Sequence, residues 1–324
     1  MAVAVEAVGL TKVFRTREKA AGLKASLGGL VAPRFRDVEA VAGIDLRIEP
    51  GELLAFIGPN GAGKSTTIKM LTGILYPTSG SASVLGLVPW RDRQKLAFRI
   101  ASVFGQRSQL WYHLPPADSL DLLAHIYELE PAAYRSRLRQ LVDQFEIDHL
   151  LQIPVRKLSL GERMRCEIVG SLLHRPSLVF LDEPTIGLDV VAKQRIRQHI
   201  RELNEREGTT VFLTSHDAGD VEQLCRRVVV INHGRVVFDD SLAAMRQRFL
   251  RNKKRIALKL LSPMGAVTLA GLRVVRQDDY ELNVEVDTAV VPIEAAVSAL
   301  MNGARVADIS IEDPPLEEII AAMY

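Results

Sequence analysis

The sequence predicts an α/β protein with a mostly parallel sheet, followed by a small α+β domain. From residue 158 to 240, helical patterns alternate with the apolar strands Leu178–Leu181, Thr210–Thr214 and Val228–Ile231, which is typical of a parallel sheet covered by helices. A glycine-rich segment near residue 60 joins an apolar strand to a helix. After residue 240 short strands surround a single helical pattern, which indicates a second, smaller domain.

Length and composition limit the possible classes. The 324 residues are long for one core and fit a large domain plus a smaller one. A formal net charge of +2 argues against a protein that binds nucleic acid by bulk electrostatics. Cys166 and Cys225 lack metal-ligand spacing and indicate reduced thiols. No apolar run approaches the ~18 residues of a membrane helix, and the start lacks a basic leader, so we expect a soluble chain.

The opening strands of the large domain are expected at residues 1–14 and 38–57, which have a strand-like apolar pattern. Residues 15–37, between them, are rich in Lys and Arg, and we interpret them as a loop with a short basic amphipathic helix. Residues 107–157 have apolar side chains near helical spacing. Because Pro115-Pro116 supplies a start signal there, we expect this segment to be mostly helical.

The second domain follows a stretch of basic residues. Residues 246–259 contain seven Lys or Arg side chains and no acid, so we predict a basic linker at 241–255 and an α+β domain at 256–324. The elements predicted for that domain are a strand at Ile256–Leu261, a hairpin at Leu272–Val286 turning at Asp278-Asp279, a helix near 292–302 and a strand at Val306–Ile311. The two basic stretches are either solvated segments or a surface attracted to anionic lipid.

A phosphate-binding loop occupies residues 58–65, which are Gly58, Pro59, Asn60, Gly61, Ala62, Gly63, Lys64 and Ser65. They match G-x-x-x-x-G-K-[ST] at each fixed position, between an apolar strand at 52–57 and a helical pattern that starts at Thr66. Backbone N–H groups and the positive end of the helix then point at one place, which suits a polyphosphate. We expect Lys64 to reach the β and γ phosphates and the Ser65 hydroxyl to bind Mg²⁺.

Two carboxylates end a second apolar strand. Asp182 and Glu183 follow the apolar residues 178–181, and burial of that strand would place both acids at the carboxyl edge of the sheet, beside the phosphate-binding loop. We expect Asp182 to hold Mg²⁺ through its water shell and Glu183 to polarise the attacking water. The alternative interpretation of an Asp-Glu pair is a plain turn after a strand.

Residues 158–162, with the sequence Leu-Ser-Leu-Gly-Glu, precede a helical pattern. They resemble the signature motif of ATP-binding cassette (ABC) proteins, Leu-Ser-Gly-Gly-Gln, which implies that Ser159 and Gly161 bind nucleotide at a helix N-terminus. Leu160 replaces a glycine, and its N–H stays available only in a conformation that suits a side chain. Glu162 replaces a glutamine, and its charge is unfavourable near phosphate unless the side chain points away.

Three further segments match ABC motifs in the family's order. Val103–Gln106 resembles the glutamine loop, which implies that Gln106 senses Mg²⁺ and the γ-phosphate. Gly187–Asp189 resembles the D-loop, which links two protomers. Thr214–Asp217 resembles the switch-histidine motif, which implies a catalytic role for His216.

The resemblance covers residues 1–240. It implies a P-loop NTPase fold with an antiparallel β portion and a helical subdomain at about 107–165. It also implies that an aromatic side chain stacks on adenine. Phe14 stands at the family's usual place, the end of the first strand, whereas Phe35 has the usual distance to the phosphate loop. We favour Phe14, because stacking needs only one exposed aromatic face.

Residues 154–164 and 182–189 resemble bacterial ABC-2-type exporters, whose membrane-spanning subunits are separate chains. The resemblance implies ATP and Mg²⁺ as cofactors, and a homodimer with ATP between one protomer's phosphate loop and the other's signature motif. It implies permease subunits as partners, a peripheral position on the cytoplasmic face of the inner membrane, and no nucleic-acid partner. Gln106 and residues 107–157 would form the coupling surface. Near Gln106 in the sequence stand three aromatic and apolar residues, Trp111, Tyr112 and Leu114. Their side chains either contact the permease or pack in the helical core.

Two alternative functions are weighed against transport. A cassette ATPase that acts on ribosomes or DNA usually has two cassettes or a long coiled coil, and neither pattern is found in this sequence. A regulatory subunit that binds ATP without turnover does not need the intact set of Lys64, Asp182, Glu183 and His216. The transported substrate is not encoded in these motifs, because selectivity would reside in the membrane subunits.

Overall fold

The computed structural model describes residues 3–17, 35–105, 108–250, 252–262, 265, 270–303 and 305–323. The chain divides into two compact units, Met1–Asp240 and Ser241–Met323. Within the described ranges, no helix is both long enough and apolar enough to cross a membrane.

Among its described residues, the first unit contains nine strands and seven α-helices. The strands are β1 (Val5–Arg17), β2 (Phe35–Ile48), β3 (Leu53–Ile57), β4 (Ser79–Val84), β5 (Ile100–Phe104), β6 (Leu178–Asp182), β7 (Thr210–Thr214), β8 (Arg227–Asn232) and β9 (Arg235–Ser241). The helices are α1 (Lys64–Leu71), α2 (Arg93–Ala97), α3 (Pro116–Ile126), α4 (Pro131–Phe145), α5 (Leu160–Leu172), α6 (Val190–Glu207) and α7 (Ala218–Leu224).

A six-stranded sheet with the order β5-β6-β7-β3-β8-β9 forms the centre of this unit. The pairs β5/β6, β6/β7, β7/β3 and β3/β8 are all parallel, as the sequence predicts. All five residues of β3 and all five of β7 are buried, because strands covered on both faces need continuous apolar runs. Phe212 packs between Phe56 and Phe180 at ring-centroid distances of 5.1 and 5.4 Å and joins β3, β7 and β6 in the core.

An antiparallel sheet with the order β2-β1-β4 forms the predicted antiparallel portion. Its β1–β2 pairing continues as far as Arg17 opposite Phe35. Residues 15–17 and 35–37, predicted as part of a loop, therefore extend the two strands. The basic amphipathic helix that the sequence predicts within 15–37 falls on residues 18–34, outside the described part of the chain.

The helical segment after β5 contains α3, α4 and the start of α5. Helix α3 begins at Pro116 with Pro115 as its N-cap, so the predicted start signal is confirmed. Helix α4 begins after Glu130, whose carboxylate accepts a hydrogen bond from the Ala133 N–H at 2.7 Å. Two short 3₁₀ turns, Asp148–Leu150 and Val155–Lys157, then lead into α5.

The described residues of the second unit form a four-stranded antiparallel sheet and three α-helices. Its elements are α8 (Leu242–Leu250), β10 (Lys253–Leu260), β11 (Leu272–Gln277), β12 (Glu281–Asp287), α9 (Ile293–Gly303), β13 (Val306–Glu312) and α10 (Leu316–Ala322). The sheet order is β11-β12-β10-β13. Alternate apolar residues of β10 and β12 bury against α9 through Ala296 and Leu300, and α8 contacts α10. The predicted hairpin, helix and last strand are all present.

The basic stretch is folded, which differs from the linker predicted at 241–255. Residues 242–250 form α8 and residues 253–255 form the start of β10. Three of the basic side chains are paired within the second unit: Lys253 with Glu285 at 2.9 Å, Lys254 with Asp313 at 2.7 Å, and Arg255 with Glu318. These carboxylates come from parts of the second unit that are distant in the sequence, so the local composition gave no sign of them.

Candidate functional site

A cavity of about 480 Å³ lies at the carboxyl edge of the central sheet. Among its lining residues are Ser65, Asp182, Glu183 and His216, from three separate segments of the chain. Asn60 of the glycine-rich loop also lines it. Parallel strands bring their carboxyl ends to one edge, so these predicted site residues converge because β3, β6 and β7 are neighbours.

The loop at 58–63 admits only glycine at two of its positions. A Cβ on Gly58 would lie 2.2 Å from the Ile231 carbonyl oxygen, and a Cβ on Gly63 would lie 2.5 Å from the Ala40 carbonyl oxygen. Gly63 also has φ of 112° and stands as N-cap of α1. The loop therefore brings backbone N–H groups and a helix start close together, with no side chain in front of them.

Lys64, the first residue of α1, is buried and folded across the loop. Its Nζ donates to the Gly58 carbonyl at 2.6 Å and lies 3.1 Å from His216 Nε2. Glu183 Oε1 is 3.9 Å away. Burial lowers the pKa of the Lys64 ammonium, while the carboxylates of Glu183 and Asp182 oppose that shift. The ammonium is thus a partly desolvated cation at the place where the loop's N–H groups converge.

Asp182 is oriented by hydroxyls on both sides. Ser65 Oγ donates to Oδ2 at 3.0 Å, and Thr214 Oγ1 donates to Oδ1 at 2.6 Å. Thr214 was not predicted as a site residue. It lies opposite Asp182 in the parallel β6/β7 register, so a hydroxyl at the end of a buried neighbouring strand is the sequence signal that identifies it.

Glu183 has an unusual backbone. Its φ is 57°, in the left-handed region, and its N–H donates to the Thr214 carbonyl at 3.1 Å. Such conformations cost energy in residues other than glycine and cluster at functional sites. The side chain meets His216, with 2.7 Å between Oε1 and Nε2. A single imidazole nitrogen cannot both donate to Glu183 and accept from Lys64, so this cluster is sensitive to where the proton resides.

Gly105 packs directly on this strand end. Its N–H donates to the Asp182 carbonyl at 2.9 Å, and a Cβ there would lie 2.4 Å from the Glu183 carbonyl oxygen. Gln106, the predicted γ-phosphate sensor, follows immediately but is outside the described residues.

The donor set beside the loop fits Mg²⁺. The cation prefers hard oxygen ligands, keeps several waters and binds proteins through one or two carboxylates together with substrate phosphates. Ser65 Oγ and Asp182 Oδ2 lie 3.0 Å apart at the edge of the cavity and supply one hydroxyl and one carboxylate oxygen. Ser65 and Asp182, two of the three predicted metal residues, are therefore adjacent to the loop that would hold the phosphates, and the third, Gln106, is outside the described residues.

The signature segment begins α5, where Ser159 is the N-cap. Ser159 and Glu162 form a reciprocal capping box: the Glu162 N–H donates to Ser159 Oγ at 3.3 Å, and Glu162 Oε2 accepts from the Ser159 N–H at 2.8 Å. The Ser159 hydroxyl also donates to Oε2, at 2.8 Å. The Ser159 N–H and hydroxyl lower the pKa of the Glu162 carboxyl. The acid that replaces the family's glutamine thus folds back onto the serine.

Leu160 is the first residue of α5, and a helical backbone there suits its side chain. The side chain lies over Gly187, whose added Cβ would be 3.1 Å from Leu160 Cδ2. A second cavity of about 470 Å³ opens here, lined by Ser159, Gly161 and Asp189 among others. Among the described residues, it shares no lining side chain with the cavity at Ser65 and Glu183.

Both candidate adenine-stacking aromatics are exposed, Phe14 by 37% and Phe35 by 49%. Phe14 pairs with Val38, two positions along β2 from Ala40, whose carbonyl touches the phosphate loop. Phe35 lies at the far end of the hairpin, three positions further, which is about 10 Å at the rise of a strand. Distance along β2 therefore favours Phe14.

A glycine-rich loop at a helix start, with a lysine, an acid pair and a histidine at the edge of a parallel sheet, defines a P-loop nucleoside triphosphatase. Residues 41–186 match the ABC transporter family. The chain is 30% identical over 291 residues to the daunorubicin resistance ATP-binding protein DrrA3 of Streptomyces coeruleorubidus, covering 88% of this chain and 91% of that protein. It is also 34% identical over 207 residues to the Nod factor export ATP-binding protein I of Burkholderia pseudomallei, covering 64% and 67% respectively. The chain therefore belongs to the ATP-binding subunits of ABC transporters, and it is an ATPase of that family.

Solved structures agree on the fold. The dimeric, post-hydrolysis structure of the ATP-binding cassette MJ0796 with ADP and phosphate matches 74% of this chain and 98% of its own. The TM-score is 0.61 at 23% identity.

Proposed function

We propose that this chain is the ATP-hydrolysing subunit of an ABC-2-type exporter that acts through separate membrane-spanning subunits. The observation on which the proposal depends is the convergence of Asp182, Glu183 and His216 on one cavity, with the Lys64 ammonium 3.1 Å from His216 Nε2. Two relatives are named for drug resistance and for export, which supports outward transport as the process that ATP drives.

ATP binding is assigned to the glycine-rich loop and its surroundings. The loop residues Gly58, Pro59, Asn60, Gly61, Ala62 and Gly63, with Ser65 and Thr66 of α1, surround the phosphates. Backbone N–H groups of this stretch point at them, except at Pro59, which has none. Lys64, already desolvated and only 2.6 Å from the loop carbonyl of Gly58, turns its ammonium to the β and γ phosphates. Phe14 stacks on adenine from the end of β1.

Hydrolysis is assigned to Glu183 and His216. The Glu183 carboxylate polarises the attacking water, and His216, 2.7 Å from it, stabilises the charge that develops on the γ-phosphate. Ser65 and Asp182 would hold Mg²⁺, which neutralises phosphate charge when bound. By the family resemblance, Gln106 is assigned to sensing the γ-phosphate and the metal.

Two copies of the chain are needed to enclose one ATP. The signature cavity at Ser159 and the loop cavity at Ser65 have no lining residue in common among those described. Each cavity lies at the N-terminus of a different helix, and a helix N-terminus favours anions. A head-to-tail homodimer brings the Ser159 and Gly161 end of one protomer to the ATP held by its partner.

The surface that binds the membrane partner is assigned to the helical segment after β5. Trp111, Tyr112 and Leu114 are 40%, 53% and 41% exposed, which favours a contact surface over core packing for these side chains. Permease subunits bound there would hold the ATPase peripherally on the cytoplasmic face of the inner membrane.

Replacement of the proposed catalytic base tests the mechanism. Glu183→Gln keeps the shape of the side chain and should slow hydrolysis by about 10²–10⁴-fold, the usual contribution of a general base, while ATP-dependent dimers persist. Glu49→Gln, which changes an exposed carboxylate paired with Arg47, serves as the matched control. Wild-type turnover by Glu183→Gln would refute the assignment.

Co-purification tests the transport assignment. A polytopic membrane protein encoded next to this chain should co-purify with it from detergent extracts, and replacing Trp111 and Tyr112 by alanine should weaken that association. Co-sedimentation with ribosomes instead would favour the alternative class of cassette ATPase.

A further inference from the structure

One buried carboxylate is hydrogen-bonded to the two loops that carry the proposed catalytic side chains. Asp220, on α7, is fully buried. Its Oδ2 accepts hydrogen bonds from two hydroxyls, Thr185 Oγ1 and Ser215 Oγ, the latter at 2.5 Å. Both hydroxyl residues are themselves buried. The sequence patterns did not point to this residue as functional.

The two hydroxyls flank the catalytic pair. Thr185 stands two residues after Glu183, and Ser215 immediately precedes His216. The loops after β6 and β7 are therefore anchored to the same oxygen. In these two loops, Glu183 Oε1 and His216 Nε2 lie 2.7 Å apart. The backbone of Glu183 is left-handed, with φ of 57°.

A buried arginine compensates the charge of Asp220. Arg197, on α6 and only 8% exposed, donates from Nε to Asp220 Oδ1 at 2.6 Å. Its NH2 group also reaches Asp217 at 3.1 Å, and Asp217 receives Lys193 at 2.5 Å. An ion pair this deeply buried is costly unless each partner is fully hydrogen-bonded, and here Asp220 has three donors. Such an arrangement fixes geometry more than it adds stability.

We propose that Asp220 is the positioning residue that sets the separation and orientation of Glu183 and His216, acting through the hydroxyls of Thr185 and Ser215. This inference rests on the ATPase function proposed above. Misplacement of a reacting group by about 1 Å can cost on the order of 10²-fold in rate, so loosening this anchor lowers the chemical step without disturbing nucleotide binding, which depends on the loop at 58–66.

The test compares ATP turnover with ATP affinity in purified full-length variants. Asp220→Asn removes the carboxylate at nearly constant volume, and Thr185→Val removes one hydroxyl. Each should lower kcat by about tenfold or more, with the Kd of a fluorescent ATP analogue unchanged within about threefold. Thr185→Ser, which restores the hydroxyl, should recover most of the rate. Asp239→Asn is the matched control, because Asp239 accepts from Arg227 Nε at 2.7 Å in a similar Asp–Arg pair away from the cavity, and it should leave kcat unchanged.

The comparison of Thr185→Val with Thr185→Ser decides the question even where Asp220→Asn does not fold, since neither changes a charge. Equal kcat values for these two variants, or a wild-type rate in folded Asp220→Asn, would overturn the inference and leave the ATPase assignment intact. A wild-type chain that hydrolyses no ATP would overturn the proposed function, and this inference with it.

Discussion

Replacing Glu162 by glutamine should tighten ATP-driven dimerisation. Glu162 Oε2 lies 2.8 Å from both the N–H and the hydroxyl oxygen of Ser159, the donors that the proposed dimer presents to the partner's γ-phosphate. A phosphate oxygen at hydrogen-bond distance from Ser159 would then lie roughly 5 Å from the carboxylate. Two unit charges at that distance repel by about 3 kcal/mol at an effective dielectric constant of about 20. Glutamine keeps the acceptor for the capping box and removes this repulsion.

The assay measures dimers directly. In a Glu183→Gln background, which keeps ATP intact, sedimentation velocity over an ATP titration gives the concentration at half-maximal dimer. Allowing for salt screening, Glu162→Gln should lower it by roughly 10–100-fold. The loss of a charge at the start of α5 should cost only about 0.3–1 kcal/mol of stability. Glu49→Gln is the control for a general change in net charge. A half-maximal ATP concentration that stays equal or rises would refute the electrostatic reasoning.

Three further changes have defined outcomes. Gly63→Ala places a Cβ 2.5 Å from the Ala40 carbonyl oxygen at a φ of 112°. It should lower the free energy of unfolding by about 1–3 kcal/mol in urea titrations and abolish nucleotide binding. An unchanged free energy of unfolding together with unchanged nucleotide binding would contradict the loop geometry. Glu167→Ala removes the buried carboxylate that accepts hydrogen bonds from the Ser108 hydroxyl and the Gln109 N–H. Two hydrogen bonds at about 0.5–1.5 kcal/mol each make the expected cost about 1–3 kcal/mol in the same titrations, whereas Glu167→Gln, which keeps one acceptor oxygen, should cost less. Burial raises the pKa of Cys166 to about 12, which disfavours the reactive thiolate. The native protein should therefore not react with a disulfide thiol reagent at pH 8, and it should react after unfolding in urea. Rapid labelling of Cys166 in the native protein would contradict this prediction.

The sequence was informative about the fold where patterns are local or repeated. The strand at residues 210–214, the hairpin at Asp278-Asp279 and the start of α3 at Pro116 all lie where predicted. Each depends on signals within a few residues: a continuous apolar run, a turn pair or a proline. The phosphate loop was equally clear, because Gly58 and Gly63 are required by close backbone contacts.

The remaining features depend on partners that are distant in the chain. The linker predicted at 241–255 is a helix and a strand, because Glu285 and Asp313 neutralise its lysines only after the sheet forms. Thr214 joins the site through the parallel register with Asp182, and a single sequence does not give register. The fold of Glu162 back onto Ser159 was likewise undetermined, although the spacing of serine and glutamate fits a capping box.

Gly105 has a mechanical consequence. Its main chain contacts the main chain of Asp182 and Glu183 directly, with no side chain between them. Interiors packed this closely resist compression and pass displacement on. A force that a bound partner applies to the helical segment would therefore displace the main chain of Glu183, the proposed catalytic base.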